Sequence, residues 1–271
     1  MNSSFVSISY LLLFALAACQ PSSHSETKSP EGIQVSAMKE DLNRAATPKT
    51  QLLVVTTPAW DQFNGKLQRF EGDSTNWQAV GGSIPIVVGK NGLGWAVQET
   101  ELQAFGGPIK KEGDLKSPAG VFQLGTAFGY AATPDADWIN YPYWPITAQT
   151  MCIEDVSSEY YNQILEEGEV PADWNSTDHM RRTDDLYEWG VFVEHNFPEP
   201  TPKGGSCIFL HVWNTKGGKK AGGTAGCTAM DKAKLVEVLR WLDEEKSQMM
   251  IQMPLEDYQK IQAARSWPSI N

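Results

Sequence analysis

Histidine and cysteine are scarce, four of each in 271 residues. The histidines, His24, His179, His195 and His211, lack the short ligand intervals of zinc sites, so no metal centre and no cofactor is expected. Positive charge is also short: 22 Lys and Arg stand against 33 Asp and Glu, a formal charge of −11. Phosphate backbones require basic patches, and none stands out, which argues against nucleic acid as a partner. No apolar run is long enough to cross a bilayer as a permanent helix, and no repeat of fixed period points to a solenoid or propeller. No feature of the residues sets an oligomeric state.

What is present begins with a short apolar run, Tyr10 to Ala18, of the length of a signal-peptide core, although no Lys or Arg precedes it. It ends Leu16-Ala17-Ala18-Cys19, which resembles the lipobox of bacterial lipoproteins. The resemblance implies a leader over residues 1–18 and lipidation of Cys19, so that any membrane contact is through a lipid anchor. A plain secretory leader is the other reading. Residues 19–50 are rich in Ser, Pro, Glu, Lys and Thr and read as a flexible tether. Residues 51–271 then read as one mostly β (α+β) domain, with 41% hydrophobic residues across the chain.

The first strand is expected over Gln51 to Thr57. Between Leu67 and Val97 short apolar runs alternate with Gly-Asp, Gly-Gly and Asn-Gly turns, which predicts a meander with its sharpest hairpin at Lys90-Asn91-Gly92. Lys110 to Leu124 reads as a loop that enters a strand. The aromatic and acidic stretch Tyr130 to Trp189 is too long for plain connectors and predicts walls or a cover over a cleft, with Tyr160, Tyr161 and Asn162 as candidate lining. Arg181 and Arg182 are either a carboxylate-binding guanidinium with a neighbour, or a solvated pair balanced by Asp184 and Asp185. His195 closes a strand from Val191 to Asn196 and is either a structural histidine or a group beside the site. A last strand, Met249 to Met253, leads into a helical tail from Leu255 to Arg265.

The chemistry concentrates between Ser206 and Leu242. The run CIFLHVW alternates as a buried strand with His211 near its end, a Gly- and Lys-rich loop follows, and Thr224-Ala225-Gly226-Cys227 comes next. From Asp231, apolar Leu235, Val238, Leu239 and Leu242 recur at helical spacing. A thiol just before a helix and within reach of a histidine is expected to titrate below the ordinary ~8.5, with His211 as base. Gly226 allows close approach of a substrate, and the N–H groups of Gly226 and Cys227 are candidate oxyanion donors. A structural cysteine beside a core histidine is the alternative.

The runs IFLHVW and TAGCTAM resemble the signature of the L,D-transpeptidase catalytic-domain family, the YkuD type. In that family a His on one strand and a Cys in an S/T-x-G-C turn carry out acyl transfer on peptidoglycan stem peptides. The resemblance implies Cys227 as nucleophile, His211 as general base, and Gly226 and Thr224 as supporting residues. It also implies a single β-sandwich or barrel domain with a helix after the nucleophile, covering roughly Ile84 to Pro254. A second tract matches through Asp114, Lys116, Ser117, Pro118, Gly120 and Phe122. One position departs: many members carry Arg two residues after the Cys, where this chain has Ala229.

The remaining cysteines follow by count. With Cys19 lipidated and Cys227 free, export to an oxidising compartment leaves Cys152 and Cys207 to pair, closing a loop of about 55 residues and contributing on the order of 4 kcal/mol in the chain-entropy model. Two unpaired buried thiols are the alternative. The reaction implied by the resemblance is attack on the third-position carbonyl of a tetrapeptide stem, followed by aminolysis of the thioester. Hydrolysis at the same site, or wall binding without catalysis, are the competing functions.

Overall fold

A computed structural model describes residues 49–73, 76–216, 219–220 and 222–270, within the unit Pro48–Asn271. The expected leader over 1–18, the lipidation site Cys19 and tether residues 20–48 lie outside the described residues. In chain order the strands are β1 (Thr50–Thr57), β2 (Asn64–Asp73), β3 (Asn76–Val87), β4 (Leu93–Trp95), β5 (Ser117–Gly129), β6 (Tyr143–Pro145), β7 (Thr150–Ile153), β8 (Ile164–Glu166), β9 (Thr177–His179), β10 (Trp189–Val193), β11 (Phe209–Val212), β12 (Thr215–Lys216), β13 (Lys219–Lys220), β14 (Thr228–Met230) and β15 (Ser247–Pro254). The helices are α1 (Lys232–Trp241) and α2 (Leu255–Gln262).

The main sheet runs β10-β11-β14-β3-β2-β1-β15-β5, and β5 pairs back onto β10. This closure depends on the length of β5. Its Gly120–Gln123 portion pairs with β15, whereas Leu124 to Gly129 pairs with β10. The mostly β domain expected from the sequence is therefore a sheet whose pairings close on themselves, with one helix packed after the nucleophile's strand. Leu52, Val54, Leu67, Ile84, Val191, Leu210, Met230 and Met250 are among the residues of its main core. α1 adds Leu235, Val238 and Leu239, and its C-cap residue Leu242 joins them, the positions whose spacing predicted the helix. Its N-terminus is capped by Asp231, whose carboxylate accepts from the Ala233 N–H at 2.9 Å.

Two local expectations are corrected. Asn91 and Gly92 do form a turn, with the Gly92 N–H donating to the Gly89 carbonyl at 2.7 Å. It does not close a hairpin, because β4 pairs in parallel with Ser117–Ala119 of β5 and not with β3. The meander between Leu67 and Val97 is instead one long antiparallel hairpin, β2 with β3, bulged between Leu67 and Arg69. Gly-Gly breaks apolar runs in the sequence without ending the strand, because backbone pairing continues on either side of the bulge.

A second sheet, β8-β7-β9, is drawn from the aromatic and acidic stretch. Cys152, in β7, is bonded to Cys207, the pairing expected by count, with Cα atoms 6.0 Å apart. A second apolar cluster joins the two sheets: Cys152, Met180 and Tyr187 pack with Phe128, Phe192, Phe209, Cys207 and Cys227. The small sheet thus covers the outer face of β5, β10 and β11.

Candidate active site

The side-chain alternation of β11 sorts its residues between two environments. Ile208 and Leu210 enter the main core, while Phe209 lies in the cluster beneath the second sheet, the face that His211 shares by the two-residue period. β14 runs parallel to β11, with His211 opposite Ala229 and Leu210 opposite Thr228. Cys227, immediately before β14, belongs to the same cluster as Phe209. Exposures of 5% for His211 and 8% for Cys227 place both under cover.

Several bonds fix these two residues. His211 Nδ1 lies 2.7 Å from the Val212 carbonyl oxygen, which only accepts, so Nδ1 carries the proton and Nε2 is the ring's basic nitrogen. Cys227 Sγ accepts from the Phe209 N–H at 3.4 Å and donates to the Cys207 carbonyl at 3.4 Å. The Cys227 carbonyl receives two hydroxyls, Thr224 Oγ1 at 2.5 Å and Ser117 Oγ at 3.0 Å. Ser117 Oγ also accepts from the Gly89 N–H at 2.8 Å. Next to the nucleophile, Thr228 Oγ1 donates to Gln252 Oε1 at 2.6 Å, and Gln252 Nε2 donates to the Pro118 carbonyl at 2.7 Å. The Ser117-Pro118 tract is therefore part of the support for Cys227, although the two segments are far apart in sequence.

Three expectations about this pair change. β14 and the capping residue Asp231 stand between Cys227 and α1, so the helix does not begin directly after the thiol. Burial instead pushes the Cys227 thiol up to about 12, against the Phe209 N–H, which favours the thiolate. Burial lowers His211 to about 4, opposed by its bond to the Val212 carbonyl. At neutral pH the pair is a neutral thiol and a neutral imidazole. The Gly226 N–H donates to Thr224 Oγ1 at 3.2 Å and so holds the turn closed rather than pointing to a substrate oxygen. Gly226 is nonetheless hemmed in, since a Cβ there would lie 3.3 Å from Ile208 Cδ1 and 3.4 Å from the Lys116 carbonyl.

The other candidates fall into distinct roles. Tyr161 is buried and donates to Glu112 Oε2 at 2.5 Å while accepting from the Gly205 N–H at 3.2 Å. Asn162 is buried too: its amide donates to the carbonyls of His195 and Asn196 at 2.9 and 2.8 Å, and its Oδ1 accepts from the Cys207 N–H at 2.8 Å. Both are braces for the segment that enters β11, not cleft lining. His195 is structural as well, with Nε2 3.0 Å from the Gly204 carbonyl and its ring edge-on to Phe122. Arg181 lies over the Tyr130 ring at 4.1 Å. Arg182 is balanced by Asp184 at 2.7 Å and Asp178 at 3.4 Å, which is the paired reading as far as Asp184 is concerned. Ala229 is fully enclosed between Val87 of β3 and His211 of β11.

Residues that the sequence did not mark lie around the pair, Tyr187 against the imidazole and Glu154 acting electrostatically on Cys227. Tyr187 sits edge-on to His211, with ring centroids 5.3 Å apart, and its hydroxyl donates to Asp178 Oδ2 at 2.6 Å. Glu154, just after β7, is pushed up to about 7 by burial and by the nearby charges of Asp178 and Glu112. No spacing rule connects Asp178 or Tyr187 with His211. Among the described residues no group of three or more His, Cys, Asp or Glu side chains is arranged to hold a metal ion.

The two buried histidines make stability depend on acid. Burial lowers both His195 and His211 from 6.5 to about 4. Between those values the unfolded chain holds more protons on these imidazoles than the folded one, so both lower stability as pH drops from about 6.5 toward 4, by on the order of 3 kcal/mol each. Glu154, pushed up to about 7, acts in the opposite direction over that range and offsets part of the loss. Urea unfolding at pH 7 and pH 4.5 is expected to show a lower midpoint in acid, and a double His195→Gln, His211→Gln variant is expected to lose most of that difference.

No curated protein matches the chain. Among solved structures, one of Bdellovibrio bacteriovorus Bd1075 is similar at 14% identity and a TM-score of 0.36, covering 77% of this chain. This chain spans about half of that one, 48% of its length. The L,D-transpeptidase catalytic domain, YkuD, matches residues 66–251, a span that holds Ser117, Cys152, Cys207, His211 and Cys227. With that much of its 271 residues matched, the chain belongs to the YkuD family of L,D-transpeptidase catalytic domains, whose members act on peptidoglycan stem peptides.

Proposed function

We propose that the protein transfers an acyl group from a peptidoglycan tetrapeptide stem through a thioester on Cys227. The observation that carries this reading is the bond from His211 Nδ1 to the Val212 carbonyl, which leaves Nε2 as a base on the strand beside the nucleophile's. In the proposed cycle the Cys227 proton passes to His211 Nε2 as Sγ attacks the carbonyl of the third stem residue. The tetrahedral intermediate collapses, and the imidazolium returns the proton to the nitrogen of the departing D-residue. An acceptor amine then attacks the thioester, and His211 takes its proton before the thiol is restored.

Starting from a neutral pair suits this sequence. Burial opposes charge on either group, so proton transfer is coupled to bond formation rather than preceding it. At 5% and 8% exposure both side chains are covered, Cys227 within the apolar cluster beneath the second sheet and His211 against its Tyr187 ring. Mass spectrometry of purified disaccharide-tetrapeptide incubated with the protein tests the reading. Cross-linked dimer indicates an amine acceptor, tripeptide alone indicates water, and unchanged substrate indicates wall binding without catalysis.

The proposal includes export and anchoring through Cys19, motivated by Leu16 to Cys19. Cys19→Ala is expected to move the protein from the membrane pellet to the soluble exported fraction with the domain still folded. A parent protein that is already soluble and begins at another residue contradicts the anchor.

A further inference from the structure

We propose that Asp178 and Tyr187 form a positioning pair for His211, and that the β8-β7-β9 sheet holds both halves of the Cys227–His211 pair from a single register position. The inference rests on the reading of Cys227 and His211 as nucleophile and base. In that sheet Cys152 of β7 and Asp178 of β9 are directly paired residues. Cys152 is bonded to Cys207, whose carbonyl oxygen receives the Cys227 thiol proton at 3.4 Å. Asp178 Oδ2 accepts from the Tyr187 hydroxyl at 2.6 Å, and the Tyr187 ring packs on the imidazole. One strand pair therefore reaches the nucleophile through a covalent bridge and the base through an aromatic ring.

Two features make the second arm specific. The Tyr187 ring is wedged edge-on among Phe128, Phe209 and His211, at centroid distances of 6.0, 5.4 and 5.3 Å. Its far end is fixed by a carboxylate that also pairs with Arg182, and the Arg182 guanidinium lies 5.2 Å above the same ring. The Val212 carbonyl fixes one nitrogen of His211, and the Tyr187 edge limits how the ring pivots about that bond. Loss of the Tyr187–Asp178 bond leaves the imidazole protonated at the right nitrogen but free to swing, which lowers the fraction of bound substrate in reacting geometry. The charged and titratable groups around His211 are Tyr187, Cys227, Arg182, Asp178 and Asp184.

Steady-state kinetics on disaccharide-tetrapeptide, using the full chain, tests the pair. Tyr187→Phe and Asp178→Ala are each expected to lower kcat about tenfold with KM within about twofold, and the double variant is expected to be no worse than either alone. Asp178→Asn, which keeps an acceptor for the hydroxyl, is expected to recover at least half of the loss. The acid limb of kcat/KM is expected to move from near 4 toward 6.5 in Tyr187→Phe, as a looser ring admits water to His211. Far-UV circular dichroism checks each fold, and if Asp178→Ala does not fold, Tyr187→Phe and Asp178→Asn carry the comparison. Full kcat in Tyr187→Phe, additive losses in the double variant, or a loss confined to KM overturns the positioning role when His211→Ala shows its large loss of kcat. If His211→Ala turns over like the parent, the base assignment has failed and the positioning pair falls with it.

Discussion

Cys227→Ser is expected to reduce turnover of a disaccharide-tetrapeptide by at least about 10⁴-fold while the protein remains folded. Serine is nearly isosteric, so the hydroxyls of Thr224 and Ser117 still hold the residue 227 carbonyl and the turn keeps its shape. What is lost is sulfur. A hydroxyl is far less acidic than a thiol, and His211, lowered to about 4 by burial, is a weak base for it. The large loss is therefore expected from chemistry alone, with thermal unfolding close to that of the parent. Turnover within about tenfold of the parent would move the reaction to another group.

His211→Ala is expected to lower kcat by a factor on the order of 10²–10⁴, as for loss of a general base. The effect is expected in kcat more than in KM, because a buried imidazole bonded to its own strand carbonyl has no part in holding a stem peptide. The cavity left by the ring borders Tyr187 and costs some stability. Added imidazole is expected to restore part of the activity in this variant and none in Cys227→Ser. A loss of similar size in both variants, with rescue in neither, would point to structural damage rather than to proton transfer.

The parts of the site that rest on short-range patterns are legible in the order of the residues. The alternation around His211, the helical spacing of Leu235, Val238, Leu239 and Leu242, and the pairing of Cys152 with Cys207 all appear in the structure. The Asn91-Gly92 turn was visible as well, but its strands were not, because whether β4 joins β3 or β5 is decided by a partner well along the chain. The expectation of a lowered thiol pKa departs from the structure for a related reason: a helix end and a histidine lie near Cys227 in sequence, but β14 separates the helix from it and the cover of the second sheet removes water.

Tyr161 and Asn162 show the same limit from the other side. Polar and aromatic together, they read as cleft lining, yet both are buried because Glu112 and the carbonyls of His195 and Asn196 satisfy their polar atoms. Asp178 and Tyr187 carry no signal at all at the level of sequence. Their bond joins a strand of the cover to the loop before β10, and only the folded arrangement of the two sheets brings it to His211. Ser117 is intermediate, since a matched tract singled it out while its link to the Cys227 carbonyl needed the structure.

The central claim, that Cys227 carries the acyl group, is tested most directly by trapping the intermediate. Full-length protein mixed with disaccharide-tetrapeptide and quenched in acid, which preserves thioesters, can be digested and mapped by tandem mass spectrometry. The expected result is a disaccharide-tripeptide adduct on the peptide that contains Cys227, present in the parent, labile to hydroxylamine and absent in Cys227→Ser. An adduct on any other residue, or continued turnover in Cys227→Ser with no adduct on Cys227 in the parent, contradicts the claim.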